Sequence, residues 1–135
     1  MLTVLADHNI GGHCKLLVSI WESADWCELW HDAGIRVATF AELGLSPQTN
    51  DRALWLFCQA HAMVLVTANR NREGADSLEQ TIEELNSPTA LPTFTLADAE
   101  RVLADRRYAE RVAERLLYYL LDLDHLRGTG RLYVP

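Results

Sequence analysis

The stretch 63–71, M-V-L-V-T-A-N-R-N, restricts the fold more than any other part of the chain. Its four apolar residues follow one another without a polar interruption, which is typical of a strand buried on both faces of a sheet. The run then changes abruptly to the polar residues 67–71. In an open parallel α/β sheet, ligands bind beyond the carboxyl ends of the strands. The apolar run is therefore predicted to be a structural strand of the sheet, and the polar residues at its end are predicted to form a candidate site.

The first apolar segment of the chain has the same form. Residues 3–6 are predominantly apolar and run directly into Asp7, which His8 follows. If the two strands are neighbours, their carboxyl ends meet at one end of the sheet. The sequence then predicts that Asp7, Asn69 and Asn71 lie together there.

Amphipathic helices alternate with the predicted strands. Apolar residues recur at helical spacing after the first strand and again before and after the third. Asp51 falls in the first turn of one helix, and the longest helix is predicted from Asp105 for about four turns. Gly11 and Gly12, at the start of the first helix, predict a close approach of the backbone to a ligand or another strand.

The remaining strands complete the predicted architecture. Further strands are predicted at 35–40 and 92–96 and a short edge strand at 131–134, whereas 41–48 predicts a loop. Strands that alternate with helices predict a three-layer α/β fold. We expect a mostly parallel sheet of four to five strands in the order 2-1-3-4, with helices on both faces and one domain over residues 1–135.

Composition limits the classes of function. Hydrophobic residues make up 49% of the chain and charged residues 23%, as in a globular domain with a core. The formal net charge of -7 counts against non-specific nucleic-acid binding but leaves room for a local basic rim. Cys14, Cys27 and Cys58 lack metal-ligand spacing and are expected to be reduced. Without a secretory pattern or a membrane-length apolar segment, a soluble cytoplasmic protein with no membrane partner is expected.

Three short segments, taken in order, carry a resemblance to a known family. They are L-A-D-H-N-I at the end of the first strand, T-N-D-R-A-L-W at a helix start and V-L-V-T-A-N-R-N at the third strand. Over residues 2–85 the chain resembles the PIN-like domains, and within them the short toxin-like proteins of bacterial toxin-antitoxin pairs. The resemblance implies a nuclease fold in which carboxylates hold Mg²⁺ or Mn²⁺ for phosphodiester hydrolysis in RNA. Asp7 and Asp51 match the acids of the first two segments and are the implied metal ligands and catalytic residues.

The third segment departs from the family pattern. Where the family resembles T-x-D-x-D, this chain has T-A-N-R-N at 67–71. Amides in place of two carboxylates keep the carbonyl oxygens but remove two negative charges, so a hard divalent cation would bind more weakly. Asn69 and Asn71 are predicted to complete the cation's shell as catalytic residues, through carbonyls or water. Arg70 and Arg72 are predicted to position the phosphate.

Each of these residues also has an ordinary structural interpretation. Asp7 can cap the turn that follows it, and Asp51 can serve as a helix N-terminal acid. Asn69 and Asn71 can be turn residues that tolerate left-handed geometry. The two arginines of the segment can be solvated loop residues.

The sequence therefore predicts a metal-dependent ribonuclease of PIN-like type, or a weakened relative of one. The alternative is an inactive PIN-like module that binds a partner protein, which an exposed apolar patch around Trp21, Trp26 or Trp30 would favour. RNA, an antitoxin-like protein and a second copy of the chain are the candidate partners. A thiol enzyme is a third class, because Cys14 lies near a helix N-terminus, although its apolar helix face also predicts burial.

Overall fold

Five parallel strands form one sheet at the centre of the computed structural model, which describes residues 1–135. The strands are β1 (Leu2–Ala6), β2 (Ile35–Ala38), β3 (Met63–Thr67), β4 (Thr93–Leu96) and β5 (Arg131–Val134). Their order, β2-β1-β3-β4-β5, confirms the predicted arrangement with the last strand at an edge. Because the chain leaves β1 toward β2 and later returns to its other side as β3, the carboxyl ends of β1 and β3 flank a topological switch point.

Helices cover both faces of the sheet and make the predicted three-layer α/β fold. On one face, α1 (Gly11–Trp21) packs against α6 (Ala99–Ala104) and α7 (Arg106–Leu121). On the other face, α4 (Asp51–Ala60) packs against β3 and α5 (Leu78–Leu85). The short helices are α2 (Cys27–Ala33), α3 (Phe40–Leu43) and α8 (Leu123–Leu126). None of the helices combines the length and the apolarity that crossing a membrane requires.

Alternate residues of the central strands enter two separate cores. Val4 and Val64 belong to the larger core, which the strands form with α1 and α7. Leu5 and Leu65 belong to the smaller core under α4 and α5. All four side chains are buried, so the apolar run that begins at residue 63 is covered on both faces, as predicted.

Two tryptophans tie α1, α2 and α7 together. Trp21 stacks on Trp30 with ring centroids 4.7 Å apart, and its indole N–H donates to the carbonyl oxygen of Ala113 over 2.9 Å. Both rings are buried. Trp26 is half-buried and meets Tyr118 edge-on, with centroids 6.1 Å apart. The tryptophans therefore do not form the exposed apolar patch that would favour a docking module.

A capping box moves two boundaries from their predicted places. β2 ends at Ala38 and not at residue 40, and α3 occupies the first part of the segment predicted as a loop. The Thr39 hydroxyl accepts from the backbone N–H of Glu42 over 3.3 Å, and the Glu42 carboxylate accepts from the N–H of Thr39 over 3.1 Å. Two N–H groups of the helix start are satisfied in this way, which stabilises the short helix against the loop.

Replacing Gly34 or Gly12 by alanine should change the stability of the protein in opposite directions. Gly34 ends α2 at φ 64°, a left-handed conformation in which a Cβ costs about 1–2 kcal/mol. Gly12 lies in the first turn of α1, and no atom from another part of the protein lies within 4 Å of the place where its Cβ would be, so no other strand approaches it there. We expect Gly34→Ala to lower the free energy of unfolding by about 1 kcal/mol and Gly12→Ala to raise it by about 0.5 kcal/mol. Urea denaturation followed by circular dichroism measures both, and equal losses in the two variants would contradict this assignment.

Candidate functional site

The carboxyl ends of β1 and β3 lie side by side, as predicted. Ala6 pairs with Val66, and the backbone N–H of Asp7 donates to the carbonyl oxygen of Val66 over 2.9 Å. Thr67, the last residue of β3, donates its hydroxyl to Oδ2 of Asp7 over 2.7 Å. The other carboxylate oxygen, Oδ1, accepts from the backbone N–H of His8 over 2.7 Å. Both oxygens of Asp7 are thus fixed at the carboxyl end of the sheet.

Asp51 reaches the same place from α4. It is the first residue of that helix, and Asn50 provides the N-cap. Oδ2 of Asp51 accepts from Nδ2 of Asn69 over 2.9 Å and from the backbone N–H of Leu78 over 3.2 Å. Because Leu78 begins α5, Asp51 links the loop after β3 to that helix. Oδ1 of Asp51 has no hydrogen-bond partner within the protein and can accept from a ligand.

Thr67 connects the two carboxylates through Asn69. Its hydroxyl accepts from the backbone N–H of Asn69 over 2.9 Å while it donates to Asp7. The side chain of Asn69 then donates to Asp51. Thr67 is 0% exposed, so water cannot replace either of its hydrogen bonds. The strand end, the loop and the start of α4 therefore form one polar network.

A polar cavity of about 370 Å³ opens at the carboxyl end of the sheet. Asp7, Asp51 and Asn69 line it, so the structure brings three of the predicted site residues together. The other lining residues were not among the predicted site residues. They are His8, Asn9, Phe40, Pro47, Thr49, Leu54 and Ala68. A neighbouring hollow of about 350 Å³ shares Asp7 and His8 with the cavity and extends it toward α3.

The remaining predicted residues, Arg70, Asn71 and Arg72, do not line the cavity. Oδ1 of Asn69 accepts from the backbone N–H of Asn71 over 2.8 Å, and Oδ1 of Asn71 accepts from the N–H two residues later over 3.0 Å. These are successive Asx turns, which agrees with the interpretation of both asparagines as turn residues, although neither has the left-handed backbone conformation. Both arginines are exposed, and the guanidinium carbon of Arg70 lies 5.5 Å from the ring centroid of Tyr133 on β5.

Arg131, the first residue of β5, secures the loop from the neighbouring part of the sheet. Its Nη1 donates to the carbonyl oxygen of Asn69 over 2.8 Å and to the hydroxyl of Thr95 over 2.6 Å, and its Nε donates to Glu79 over 3.1 Å. The side chain is only 6% exposed, and its Nη2 is buried without a partner. Sequence reasoning missed Arg131 because its partners are distant along the chain and no local pattern marks it.

The site offers at most two carboxylates to a divalent cation. No group of three His, Cys, Asp or Glu side chains is placed to hold a metal ion. Asp7 and Asp51 offer two carboxylates, and Mg²⁺ commonly binds one or two carboxylates while it keeps several waters. Both polar ends of Asn69 already have protein partners, Asp51 and Asn71. Asn69 is therefore placed to orient Asp51.

The buried cysteines do not have the properties of an active thiol. Burial, and to a smaller extent the negative charge of Asp7, raise the pKa of Cys14 and the pKa of Cys58 to about 12. Such thiols stay protonated at neutral pH, whereas a nucleophilic thiol needs a lowered pKa. All three cysteines are free. The thiol-enzyme interpretation, which rested on Cys14, therefore does not fit the structure.

No protein-family model matches the chain, and no curated protein or solved structure matches it. What the site can do follows from its own residues. They are two carboxylates, an orienting amide and a buried hydroxyl at the switch point of a parallel sheet.

Thr67 allows the polar network to be tested. Thr67→Val keeps the shape of the side chain but leaves the Asp7 carboxylate and the Asn69 N–H each one partner short. We expect this variant to lose about 1–3 kcal/mol of unfolding free energy. Thr67→Ser keeps the hydroxyl and should lose only about 0.8 kcal/mol, for the missing methyl group. Urea denaturation measures both, and a Ser variant as unstable as the Val variant would show that the hydroxyl does not hold this end of the sheet together.

Proposed function

We propose that this chain is a divalent-cation-dependent ribonuclease with a PIN-like fold, weakened because the amide of Asn69 lines the cavity where the PIN-like pattern has a carboxylate. The observation that carries the proposal is the meeting of Asp7 and Asp51 in one polar cavity at the switch point of the sheet. Carboxylates from separate elements, gathered where water and a phosphate group can enter, suit cation-assisted hydrolysis of a phosphodiester.

Asp7 and Asp51 would hold the Mg²⁺ or Mn²⁺ ion. When bound, the ion would supply an activated water and would neutralise charge on the leaving oxygen. Thr67 fixes the orientation of Asp7, and Asn69 fixes that of Asp51. An ionised carboxylate has about four lone-pair sites, so these hydrogen bonds leave each carboxylate with acceptor sites for a further ligand.

Arg70 and Arg72 would bind phosphate outside the cavity. Both are exposed on the loop after β3 and neither lines the cavity wall. Guanidinium groups bind phosphate through two parallel hydrogen bonds and keep their charge at all physiological pH values. We therefore assign these arginines to phosphates that flank the scissile one.

A catalytically inactive PIN-like module that binds a partner protein is the second candidate, and one observation favours it. Both carboxylates already accept hydrogen bonds from the protein itself, from Thr67 and His8 at Asp7 and from Asn69 and Leu78 at Asp51. These contacts hold both carboxylates in place without a cation. An antitoxin-like protein or a second copy of the chain would then be the partner.

Titration calorimetry with Mn²⁺, run beside a cleavage assay on mixed RNA, tests the proposed function. We expect the wild-type protein to bind Mn²⁺ and to cleave RNA only when the ion is present. Asp7→Asn and Asp51→Asn should lose both properties, because each removes one of the two charges that attract the ion. Asp76→Asn is the matched control, since Asp76 is an exposed aspartate that pairs with Arg52 and does not line the cavity.

The opposite result would identify the inactive module. If millimolar Mn²⁺ neither bound to the wild-type protein nor supported cleavage, the ribonuclease would be ruled out and the search would turn to protein partners. Binding and cleavage that survived in both Asp7→Asn and Asp51→Asn would place the chemistry elsewhere on the molecule.

Asn69→Asp restores one carboxylate of the PIN-like pattern and should couple stability to the cation. Without Mn²⁺, the new carboxylate faces Asp51 in place of an amide donor, so we expect a loss of about 1–3 kcal/mol of unfolding free energy. With Mn²⁺, three carboxylates attract the ion more strongly, so the variant should gain more thermal stability than the wild type. Thermal denaturation with and without Mn²⁺ measures this, with Asn71→Asp as the control outside the cavity. An Asn69→Asp variant that Mn²⁺ stabilised no more than the wild type would contradict a cation site between Asp7 and Asp51.

A further inference from the structure

The outer face of α7 carries a line of arginines in a chain whose formal net charge is -7. Arg107, Arg111 and Arg115 are exposed and four residues apart, so they lie on one side of the helix at intervals of about 6 Å along its axis. Tyr118 continues the same side and is 50% exposed. We call these four residues the α7 arginine face.

No ion pair neutralises the arginines of this face. Other arginines in the same part of the chain are paired, Arg101 with Asp105 over 3.3 Å and Arg106 with Glu110 over 3.5 Å. The three arginines of the α7 arginine face have no carboxylate within ion-pair distance. Their charge is therefore available to an external anion.

Aromatic rings hold two of the three guanidinium groups in place. The guanidinium carbon of Arg111 lies 5.4 Å from the ring centroid of Tyr108, and that of Arg115 lies 5.8 Å from the ring centroid of Tyr119. Tyr108 is buried and forms a fixed support. A side chain that is ordered before binding loses less conformational entropy when it contacts a ligand.

A hollow of about 430 Å³ runs beside the α7 arginine face. It is lined by Arg111, Glu114, Arg115, Tyr118 and Pro135. Pro135 directly follows β5, so the hollow adjoins the carboxyl end of the sheet, where the cavity with Asp7 also opens. Arg70 stacks on Tyr133 of the same strand and adds a further exposed guanidinium to this end of the molecule.

We infer that the α7 arginine face binds single-stranded RNA, with its arginines on backbone phosphates and Tyr118 stacked on a base. The choice of RNA rests on the proposed ribonuclease function, for which this face would hold the part of the substrate that extends beyond the cavity. Planar guanidinium groups match phosphate oxygens in pairs. An exposed aromatic ring beside aligned cations is the arrangement by which proteins bind single strands without sequence preference. An acidic protein segment would match the arginines but not the exposed ring.

Fluorescence anisotropy with a short fluorescein-labelled oligouridylate in EDTA measures this binding without cleavage. The triple variant Arg107→Gln/Arg111→Gln/Arg115→Gln should bind about tenfold more weakly or worse, and its log-log salt dependence should be smaller by about 2. The matched control replaces three ion-paired arginines that do not contact Tyr108 and changes the net charge equally: Arg36→Gln/Arg106→Gln/Arg127→Gln. We expect the control to bind within about twofold of the wild type, because paired charges contribute little to phosphate binding.

Single substitutions separate charge from stacking. Glu114→Gln removes the one carboxylate that lines the hollow and should tighten RNA binding. Tyr118→Ala should weaken binding by about fivefold or more, whereas Tyr118→Phe keeps a stacking ring and should bind like the wild type. Circular dichroism of each variant verifies that these exposed substitutions leave the fold intact.

Three results would overturn the inference: unchanged binding by the triple variant, an equal loss in the triple and control variants, or a poly-glutamate peptide that binds as tightly as oligouridylate. The last result would make the face a site for acidic protein.

The inference and the proposed function can be refuted independently of each other. RNA binding that depends on the face, in a protein that cleaves no RNA with Mg²⁺ or Mn²⁺, would refute the ribonuclease alone. Mn²⁺-dependent cleavage by a triple variant with unchanged RNA affinity would refute the face alone.

Discussion

The hydroxyl of Thr67 is the contact on which the carboxyl end of the sheet depends. It is buried and makes two hydrogen bonds at once, as a donor to the carboxylate after β1 and as an acceptor from the backbone after β3. The members of a buried polar network fix one another's positions when they satisfy one another's hydrogen bonds. A change at Thr67 would therefore affect three features together: the placement of Asp7, the path of the loop after β3 and the contact of Asn69 with Asp51.

Periodicity and end signals predicted most of the fold. The uninterrupted apolar run of β3 indicated burial on both faces, and the alternation of strands with helices indicated a parallel sheet; the expected strand order was also confirmed. The missed helix α3 had a readable signal in Thr39 and Glu42, but the turn formers Gly44 and Pro47 later in the segment favoured a loop. The segment carries both local patterns, and the structure forms the helix that the capping box favours.

The candidate site was predictable where a residue ends a strand or begins a helix. Asp7 and Asp51 hold such positions, and Asn69 lies two residues beyond the end of β3. Asn71 was predicted to lie with Asp7 and Asn69 because it follows the same strand, but the strand stops at Thr67 and Asx turns follow, and Asn71 does not line the cavity. Contacts between residues far apart in sequence, such as those of Arg131, leave no local pattern to find.

The candidate site is completed late in translation, because Arg131, which secures its loop, lies near the end of the sequence. The loop that carries Asn69 leaves the ribosome first, and its carbonyl oxygen gains the guanidinium contact only after β5 has joined the sheet. At about 5–20 residues per second, the sequence separation of 62 residues takes roughly 3–12 seconds to translate. A nascent chain therefore passes through a stage in which the residues of the cavity exist but their loop is not secured. The site matures when the last strand docks, which delays its completion until the rest of the domain has been made.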